Sequence, residues 1–525
     1  MDVSAFQQQL QNMMSGGGNA MNGSMGGNMA QFEELTKALQ ASNYVTDVKE
    51  LSQGGALGVQ SLDTAMKTTI QENEHFTLFN RLAQSNAINV VDEYTRQSSV
   101  GGFLGGSTNT QMGVVRAAQG EYSREVGFVK FLMTLRQVGY VLNIGKNIAE
   151  PVAVEERNGA LQLLTDANYL LYHGNADIIG TQFDGIFNQI DKEIIAGKMS
   201  EQNVKDMDGK PLNSVEPISV INSEVSSYGN WGRSTDIFLP NSVQNDFNQG
   251  LDPAFRWTPD GSNIPTVGGH VAGIRLTNGI LKTNMDTFIH DETNPMTHPF
   301  EVKNTAVAKS LDKLKPTALT AKAVASNDST FTRGKRLGTY SYAVAAISKS
   351  GAGISRVIIA NGDVALDKTK SAYELEITAP NDDDIGGYAI YRAIQDVSAA
   401  TAMTGDKPTA PEKDLHAFLD ANYRLVKYIA KDTKNATTKW TDNNRDIPGT
   451  VCAPLLNLGA GADAIGWRQF QPMTKIPLPF GVGGMPVMSW FQFLFGYLRM
   501  TKPRHHGYIK NILPSTASWR PHPSE

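Results

Sequence analysis

The clearest periodic pattern in the chain predicts a long amphipathic helix over residues 151–173. Apolar residues recur there at helical spacing, at Ala160, Leu163, Leu164, Ala167, Leu170 and Leu171. Pro151 suits a first helical position, and His173 followed by Gly174 suits a last turn and its left-handed stop. We expect a rigid rod whose apolar face lies against another element.

Between residues 88 and 135 the pattern changes from helical to strand-like. Two strand-like segments, 88–94 and 127–135, flank a centre that contains the glycine-rich run 100–106. So long a connection without regular structure is unusual inside a compact domain, and such loops usually have a function of their own. We therefore expect a protruding two-stranded loop.

Residues 1–30 are rich in Gly, Met, Asn and Gln, a composition with too little apolar surface to offset the cost of ordering. This predicts a flexible arm. Other regular elements are predicted as helices at 31–42, 61–84, 215–228 and 241–250, and as a strand at 236–239.

From about residue 303 to residue 455 the helical signal nearly vanishes and short alternating strands replace it. Strands are predicted at 340–344, 373–377, 388–391 and 423–429. Turn residues cluster between them, which is typical of a small β-sandwich. Because the earlier character of the chain resumes after Leu456, we interpret the sandwich as an insertion into an interrupted core.

Composition narrows the class of protein. The net charge of −5 argues against a chain whose main work is to coat nucleic acid, and a single cysteine, Cys452, excludes an internal disulfide framework. The first thirty residues lack both basic residues and an apolar core, so no secretory signal is expected. The uncharged stretch between Lys475 and Arg499 is long enough to span a bilayer, but three prolines and a glycine cluster break it as a helix. No membrane association is expected.

The usual signatures of enzymes and cofactor sites are missing. The run 459–464 matches the dinucleotide fingerprint GxGxxA, but a β-sandwich precedes it where a βαβ unit would be needed. The acidic turn 382–384 matches no calcium loop, so a solvated turn is favoured over a cation site. We expect no catalytic residues, no cofactor and no metal.

One basic group stands out near the end of the sequence. It consists of Lys502, Arg504, His505, His506 and Lys510. Its interpretation as a contact with packaged DNA or another subunit is about as good as its interpretation as a solvated strand.

The residues of several segments resemble those of a known family. The helix 151–173 with the turn Phe183-Asp184-Gly185, the segment 235–240, and the closing block 495–511 resemble tailed-phage major capsid proteins of the Hong Kong ninety-seven type coat fold, which encapsulins share. The likeness covers about 60–300 and 456–514. Within the sandwich, 339–346 and 387–392 resemble strands of fibronectin type III or immunoglobulin-like modules, in reversed order along the chain.

The resemblance implies an α+β coat fold with a definite division of the chain. An extended N-terminal arm would occupy 1–60, and the core would comprise 61–302 and 456–525, with a peripheral domain carrying the long helix and an axial domain. The inserted immunoglobulin-like sandwich would occupy 303–455. The extended β-hairpin loop, 88–135, would reach over a neighbouring subunit, with Arg96, Phe103, Leu104, Arg116 and Arg124 as candidate contacts. A mobile surface loop with solvated arginines is the alternative.

The resemblance further implies a structural, non-enzymatic subunit. It would self-assemble into pentamers and hexamers of an icosahedral phage head that encloses double-stranded DNA. Scaffolding, portal and decoration proteins would be partners, packaged DNA would be touched without sequence specificity, and assembly in the host cytoplasm would end in the virion capsid. The alternatives are an encapsulin-like compartment shell and a surface or adhesion protein that binds through the sandwich. The insert is expected to stand off the shell surface.

Some members of the resembled family join subunits through an isopeptide bond from a lysine on the extended loop. Residues 92–129 contain no lysine, so we predict a noncovalent shell. A boiled and reduced sample of assembled particles should run on an SDS gel as one band near 57.0 kDa. A ladder of higher bands that survives this treatment would contradict the prediction.

Overall fold

The computed structural model describes residues 76–144, 150–227, 232–250, 271–291, 309–351, 353–380, 382–397, 419, 421–480 and 486–523. The predicted N-terminal arm, the helix at 31–42 and most of the helix at 61–84 lie outside these residues.

The described residues form an α+β structure, as predicted. The helices are α1 (Thr77–Arg81), α2 (Tyr140–Ile144), α3 (Pro151–His173), α4 (Ile186–Ile195), α5 (Glu216–Ser227) and α6 (Asn241–Gly250). The strands are β1 (Ala83–Asn86), β2 (Val91–Ser99), β3 (Glu121–Phe128), β4 (Lys130–Gly139), β5 (Val204–Asp206), β6 (Asp236–Leu239), β7 (Gly273–Leu276), β8 (Gly279–Met285), β9 (Ala318–Val324), β10 (Ser341–Ser348), β11 (Ile358–Asn361), β12 (Ala372–Thr378), β13 (Ile385–Ala393), β14 (Tyr423–Ala430), β15 (Thr437–Asp442), β16 (Val451–Leu456), β17 (Ile465–Pro477), β18 (Val487–Met500) and β19 (Gly507–Ile512).

The long helix α3 has the predicted bounds, with Pro151 at its start and Gly174 as its cap. The predicted left-handed stop is wrong, because Gly174 has a φ of −56° and a ψ of 138° and continues into extended backbone. The predicted helix at 61–84 is wrong over its described end. There α1 stops at Arg81, and the chain enters β1, which pairs in parallel with β17 from Ala83 to Asn86. A strand partner nearly four hundred residues away thus overrides the local helical pattern.

Helix α3 lies against a four-stranded sheet with strand order β1-β17-β18-β4. The Gln492 side chain of β18 donates to the Glu156 carbonyl at 2.8 Å. A Cβ at Gly159 would stand 1.7 Å from the Gln492 amide oxygen, so a larger residue here would displace the Gln492 side chain from its bond to α3. The sheet includes most of the uncharged stretch 475–499, as parts of two antiparallel strands. Of the helices that the structure describes, none is long and apolar enough to span a membrane.

A six-stranded mixed sheet, β5-β19-β16-β6-β8-β7, continues the same hydrophobic core. Directly after β8, the buried Asp286 carboxylate accepts hydrogen bonds from the Tyr172 hydroxyl at 2.8 Å, from the Phe288 amide at 2.9 Å and from the Leu78 amide at 3.3 Å. These bonds join α1 and α3 to the end of β8. Burial raises the pKa of Asp286 to about 6, against the lowering effect of these hydrogen bonds.

The strands from β9 to β15 form two antiparallel sheets, β11-β10-β13-β14 and β15-β12-β9, with an apolar core between them. The two motif-bearing segments of reversed order lie in β10 and β13. These strands are direct neighbours, paired from Tyr342 opposite Arg392 to Ile347 opposite Gly387. The two strands are therefore neighbours in the sheet although their order along the chain is reversed relative to the resembled modules.

The outer face of the β10–β13 sheet packs on the rest of the chain. Ile178 and Ile179, from the loop between α3 and α4, share an apolar cluster with side chains such as Ala343 and Tyr391. Beside this cluster, the Arg336 guanidinium contacts the Asp208 carboxylate at 2.6 Å and the Asp208 carbonyl at 3.0 Å. The sandwich is thus docked through both apolar and ionic contacts.

A buried ion pair crosses the sandwich core. The Arg392 guanidinium donates to the Asp442 carboxylate at 2.8 Å and to the Asn444 amide oxygen at 2.6 Å, and the Tyr342 hydroxyl also donates to Asp442 at 2.8 Å. Arg392 and Asp442 are exposed by 0% and 1%. Desolvation of this kind is tolerated because each charged group keeps several partners.

We predict that Arg392→Met lowers the free energy of unfolding by about 3–5 kcal/mol, because it leaves the Asp442 carboxylate buried without its counter-ion. Urea-induced unfolding of the full chain measures the change. The matched control is Lys439→Met, which removes an exposed cation paired with Glu376 and should cost no more than about 1 kcal/mol. Equal losses for the two variants would contradict the prediction.

Candidate subunit-contact surface

The predicted protruding loop is present as a two-stranded hairpin, formed by β2, β3 and the connection 100–120. The sequence predicts the second strand at 127–135, but most of that segment belongs to β4, which pairs with β18 in the four-stranded sheet. The strands pair from Val91 opposite Phe128 to Ser99 opposite Glu121. The connection begins at Gly101, whose φ of +85° lies in the left-handed region and whose Cβ would stand 2.1 Å from the Gln119 carbonyl oxygen. Only glycine fits this turn.

The connection exposes an unusual number of large apolar side chains. Leu104 is fully exposed and Phe103 is 67% exposed. The other exposed apolar side chains of the connection are Val100, Met112, Val114 and Val115. A concentration of apolar surface in one loop is typical of an interaction site, because single exposed apolar residues are normal but clusters are not.

The base of the hairpin is held by one carboxylate. Asp92 accepts two hydrogen bonds from Arg468, at 2.9 Å each, and one from the Tyr497 hydroxyl at 2.6 Å. Arg499 approaches the same carboxylate at 3.4 Å, and its guanidinium lies 5.2 Å from the centre of the Tyr94 ring. The hairpin is therefore fastened to β17 and β18 in a fixed direction.

The charges around Asp92 affect its ionisation. Burial acts to raise the pKa of Asp92, but the hydrogen bonds from Arg468 and Tyr497 and the nearby positive charges prevail, and the pKa lies below the ordinary value. The ionised carboxylate is accordingly the form that the folded hairpin base stabilises.

The structure places the three predicted arginines in different surroundings. Arg96 is largely buried and makes a bidentate contact with Glu193 of α4, at 3.0 and 3.1 Å, and a contact with Glu125 at 3.4 Å. It is thus engaged within its own chain and positions the hairpin. Arg124 is exposed and lies 3.4 Å from Glu93 on the paired strand, and Arg116 is exposed on the connection with Phe103 and Leu104.

A second exposed apolar surface lies on the four-stranded sheet, on the face opposite α3. We call it the aromatic face. It comprises Phe131, Met133 and Leu135 of the edge strand β4 and their directly paired neighbours Phe495, Phe493 and Phe491 of β18. The Phe131 and Phe495 rings are 4.9 Å apart. Met133 is 63% exposed.

Sequence reasoning missed the aromatic face. Its signal is the run 131–135, which carries apolar residues on both sides of a strand and so predicts burial on both sides. In the structure α3 covers only one of these sides.

The five residues of the predicted basic group do not share one surface. His506 is buried, and its Nδ1 accepts a hydrogen bond from the Asn457 amide at 3.1 Å. Burial, with a smaller effect of His505, lowers the pKa of His506 to about 3, so it carries no charge at neutral pH. Lys510 lies apart, 4.0 Å from Asp446. His506 therefore adds no positive charge to an exposed patch.

Lys502, Arg504 and His505 remain together. They line a cleft of about 940 Å³ whose opposite wall includes residues 95–100 of the hairpin. Arg504 is anchored by a hydrogen bond from its Nε to the Lys198 carbonyl at 2.7 Å. The three side chains thus face the hairpin rather than a flat surface.

The two sequence motifs with possible chemistry form turns. Residues 459–464 make a turn and a short 3₁₀ helix, Gly461–Asp463, and then enter β17, so the strand-to-helix geometry of a dinucleotide site is not formed. In the acidic turn, Asp382 lies 3.4 Å from Lys313 and Asp384 accepts from the Ser348 hydroxyl. Across the described parts of the chain, no three His, Cys, Asp or Glu side chains are grouped as metal ligands.

Neither a protein-family model nor a curated protein sequence matches the chain. Among solved structures, it is similar to the SrpI encapsulin of Synechococcus elongatus, with 7% identity, a TM-score of 0.35, and coverage of 91% of this chain and 99% of that chain. It is also similar to the capsid of a native GTA particle, with 7% identity, a TM-score of 0.43, and coverage of 89% and 99%. A structure of phage G major capsid and decoration proteins gives 7% identity, a TM-score of 0.37, and coverage of 89% and 99%. At TM-scores below 0.5, these likenesses do not decide the function, which has to be argued from the chain's own contacts.

We predict that Asp92→Asn loosens the hairpin at its base. Loss of the charge-assisted hydrogen bonds from Arg468 should cost about 1.5–3 kcal/mol locally, and amide hydrogen exchange in β2 and β3 should accelerate accordingly. Glu93→Gln is the matched control, because Glu93 is exposed and contacts only the exposed Arg124 among the charged partners that the structure shows. Equal exchange rates in the two variants would show that Asp92 does not hold the hairpin.

The same anchor should depend on pH in wild type. Because the pKa of Asp92 is lowered in the folded state, its contribution is fully present above the unfolded value of 3.8 and is lost as the pH falls through the folded value. Exchange protection of β2 and β3, corrected for intrinsic rates, should therefore fall selectively below that pH in wild type and not in Asp92→Asn.

Proposed function

We propose that this chain is a structural subunit of a closed protein shell, and more specifically a major capsid protein of an icosahedral phage head. The proposal rests on one observation: the same chain has two separate exposed apolar surfaces. One is the tip of the rigidly held hairpin, and the other is the aromatic face. Neither surface has a partner among the described residues of its own chain, and both are too apolar to be left in water at no cost.

The two surfaces suit a contact between neighbouring copies. The tip residues of one copy, such as Phe103 and Leu104, would bury against the aromatic face of the next. Such a head-to-tail contact closes into rings when the rotation between copies closes, which is how pentamers and hexamers arise. In this arrangement Arg116 and Arg124 lie at the contact, and Arg96 acts by fixing the hairpin direction through Glu193.

The functions proposed for the rest of the chain are those that the sequence resemblance implies. The proposed peripheral domain contains α3 and its sheet, the proposed axial domain contains the six-stranded sheet, and residues 1–60 form the proposed arm. Lys502, Arg504 and His505 are proposed as a contact to a neighbouring hairpin or to packaged double-stranded DNA. Scaffolding, portal and decoration proteins are proposed partners, with assembly in the host cytoplasm and a final location in the virion capsid.

The sandwich at 303–455 is proposed to be an immunoglobulin-like domain on the outside of the shell. Its outward sheet carries an alternating exposed charge ladder in which Lys439 contacts Glu374 and Glu376, and Lys322 contacts Glu376. A charged and solvated face of this kind resists aggregation and suits a domain that either stabilises neighbours or meets the host surface.

We predict that Phe103→Ser with Leu104→Ser abolishes assembly without unfolding the subunit, because both side chains are exposed in the isolated chain and would be buried only in a shell. Size-exclusion chromatography followed by negative-stain electron microscopy measures assembly, and circular dichroism checks the fold. Val364→Ser is the control, since Val364 is an exposed apolar residue of the sandwich.

Wild type should give closed shells, rings or sheets, expressed alone or with a candidate scaffolding protein, and the control should do the same. A wild-type chain that stays a monodisperse monomer under all these conditions would sink the proposal. Shells that form equally well from the double variant would refute the role of the hairpin tip. Nucleic acid in shells from infected cells would distinguish a phage head from a compartment filled with cargo protein.

A further inference from the structure

The segment that follows β19 contacts both the core and the sandwich. After Ile512 the chain leaves the six-stranded sheet, and the Ser515 amide donates to the Asp246 carboxylate of α6 at 2.6 Å. Residues 519–522 then lie on the sandwich. We call residues 515–523 the strap, because they contact the core at one end and the inserted domain at the other.

The strap is partly buried in the surface of the sandwich. Trp519 is 4% exposed, its Nε1 donates to the Asn422 carbonyl at 3.3 Å, and the Arg424 guanidinium lies 5.4 Å from the centre of a ring of this indole. Two residues on, the Pro521 carbonyl accepts from the Gln395 amide at 3.0 Å. Buried aromatic anchors of this kind dominate the energy of most protein interfaces.

His522 completes the contact in an unusual position. It is 6% exposed, and its Nδ1 lies 3.0 Å from the Tyr340 hydroxyl, which also donates to the Arg336 carbonyl at 2.6 Å. The positive charges of two side chains, Arg392 and Arg336, disfavour protonation of its ring. An uncharged imidazole is thus enclosed where a third positive charge would be repelled.

We propose that the strap is an acid-sensitive clamp, which locks the inserted sandwich onto the core at neutral pH and releases it when His522 is protonated. This goes beyond the proposed function, because it concerns how the two parts of one subunit are joined and does not depend on shell assembly.

The charged surroundings of His522 support the direction of the effect. The groups that face it or its partner Tyr340 are Arg336, Arg392, Asp396 and Asp442. Of the two acids, Asp442 is already paired with Arg392, and Asp396 is exposed and its carboxylate accepts from the Thr339 amide at 2.9 Å. The charge of Arg336 is likewise paired, with Asp208. Burial, followed by Arg392 and Arg336, lowers the pKa of His522 to about 2.

Docking of the strap weakens on acidification because the pKa of His522 differs between the released and the docked state. The released strap has a histidine of ordinary pKa, 6.5, whereas the docked strap has a lowered one. Docking is therefore fully favourable above pH 6.5 and weakens as the pH falls below it, by about tenfold in the docking equilibrium for each pH unit.

Hydrogen exchange of the full-length chain tests the proposal. The reporters are amides of 176–183, which face the sandwich from the core, and of 336–341, which face the strap. In wild type, their protection factors should fall about 30-fold between pH 7.5 and pH 5.0. In His522→Gln, which cannot take up a proton, they should stay constant over this range, because the acids of the core are the same in both proteins.

Trp519→Ala tests the clamp itself, at pH 7.5. It should lower protection of both reporters at least tenfold while β16 and β19 in the core keep theirs, which also verifies that the subunit is folded. Arg520→Ala is the control, since Arg520 is an exposed residue of the strap whose guanidinium donates to the Ser515 carbonyl, within the strap, at 3.5 Å.

Two results would overturn the proposal. Unchanged protection at 176–183 and 336–341 in Trp519→Ala would show that the strap does not hold the sandwich. An equal loss of protection on acidification in wild type and His522→Gln would show that the imidazole is not the sensor.

Discussion

The structure depends most on the packing of strand β18 between its two neighbouring strands and α3. β18 pairs with β17 on one side and β4 on the other, and Gln492 reaches across the glycine gap at Gly159 to the backbone of α3. The same strand presents Tyr497 and Arg499 to the hairpin base. Because one strand fixes the helix, the sheet and the hairpin together, a displacement of β18 would move every surface that we assign to subunit contact.

Three carboxylates with little or no exposure lie at contacts between distant parts of the chain. Asp92 joins the hairpin to the sheet, Asp286 joins α1 to α3 and β8, and Asp442 joins the two sheets of the sandwich. Each of them accepts several hydrogen bonds, which offsets its desolvation and fixes a direction as well as a distance. Apolar packing alone would stabilise these contacts with less geometric definition.

The sandwich, which the sequence predicts to be an insertion, is joined to the rest of the chain by more than its two linkers. It has its own core between two sheets, yet its second face is closed by Ile178 and Ile179, and the strap crosses onto it. An insertion held only by two linkers would be free to rotate. The apolar contact, the Arg336–Asp208 pair and the strap restrict that rotation, so the orientation of the charged outer sheet is set by the core.

Local patterns in the sequence determined the element types, above all the helix 151–173, the strands of the sandwich and the hairpin, because their hydrophobic periodicity and turn residues lie within a few positions of one another. The tertiary structure decided the contacts between distant residues, which local patterns do not contain. Whether Arg96 faces a neighbour or Glu193, whether His506 is exposed, and which side of β4 is left uncovered all depend on residues tens to hundreds of positions away. The helix expected up to residue 84 ends at Arg81 for the same reason, since the pairing of β1 with β17 is a long-range contact that no local periodicity contains.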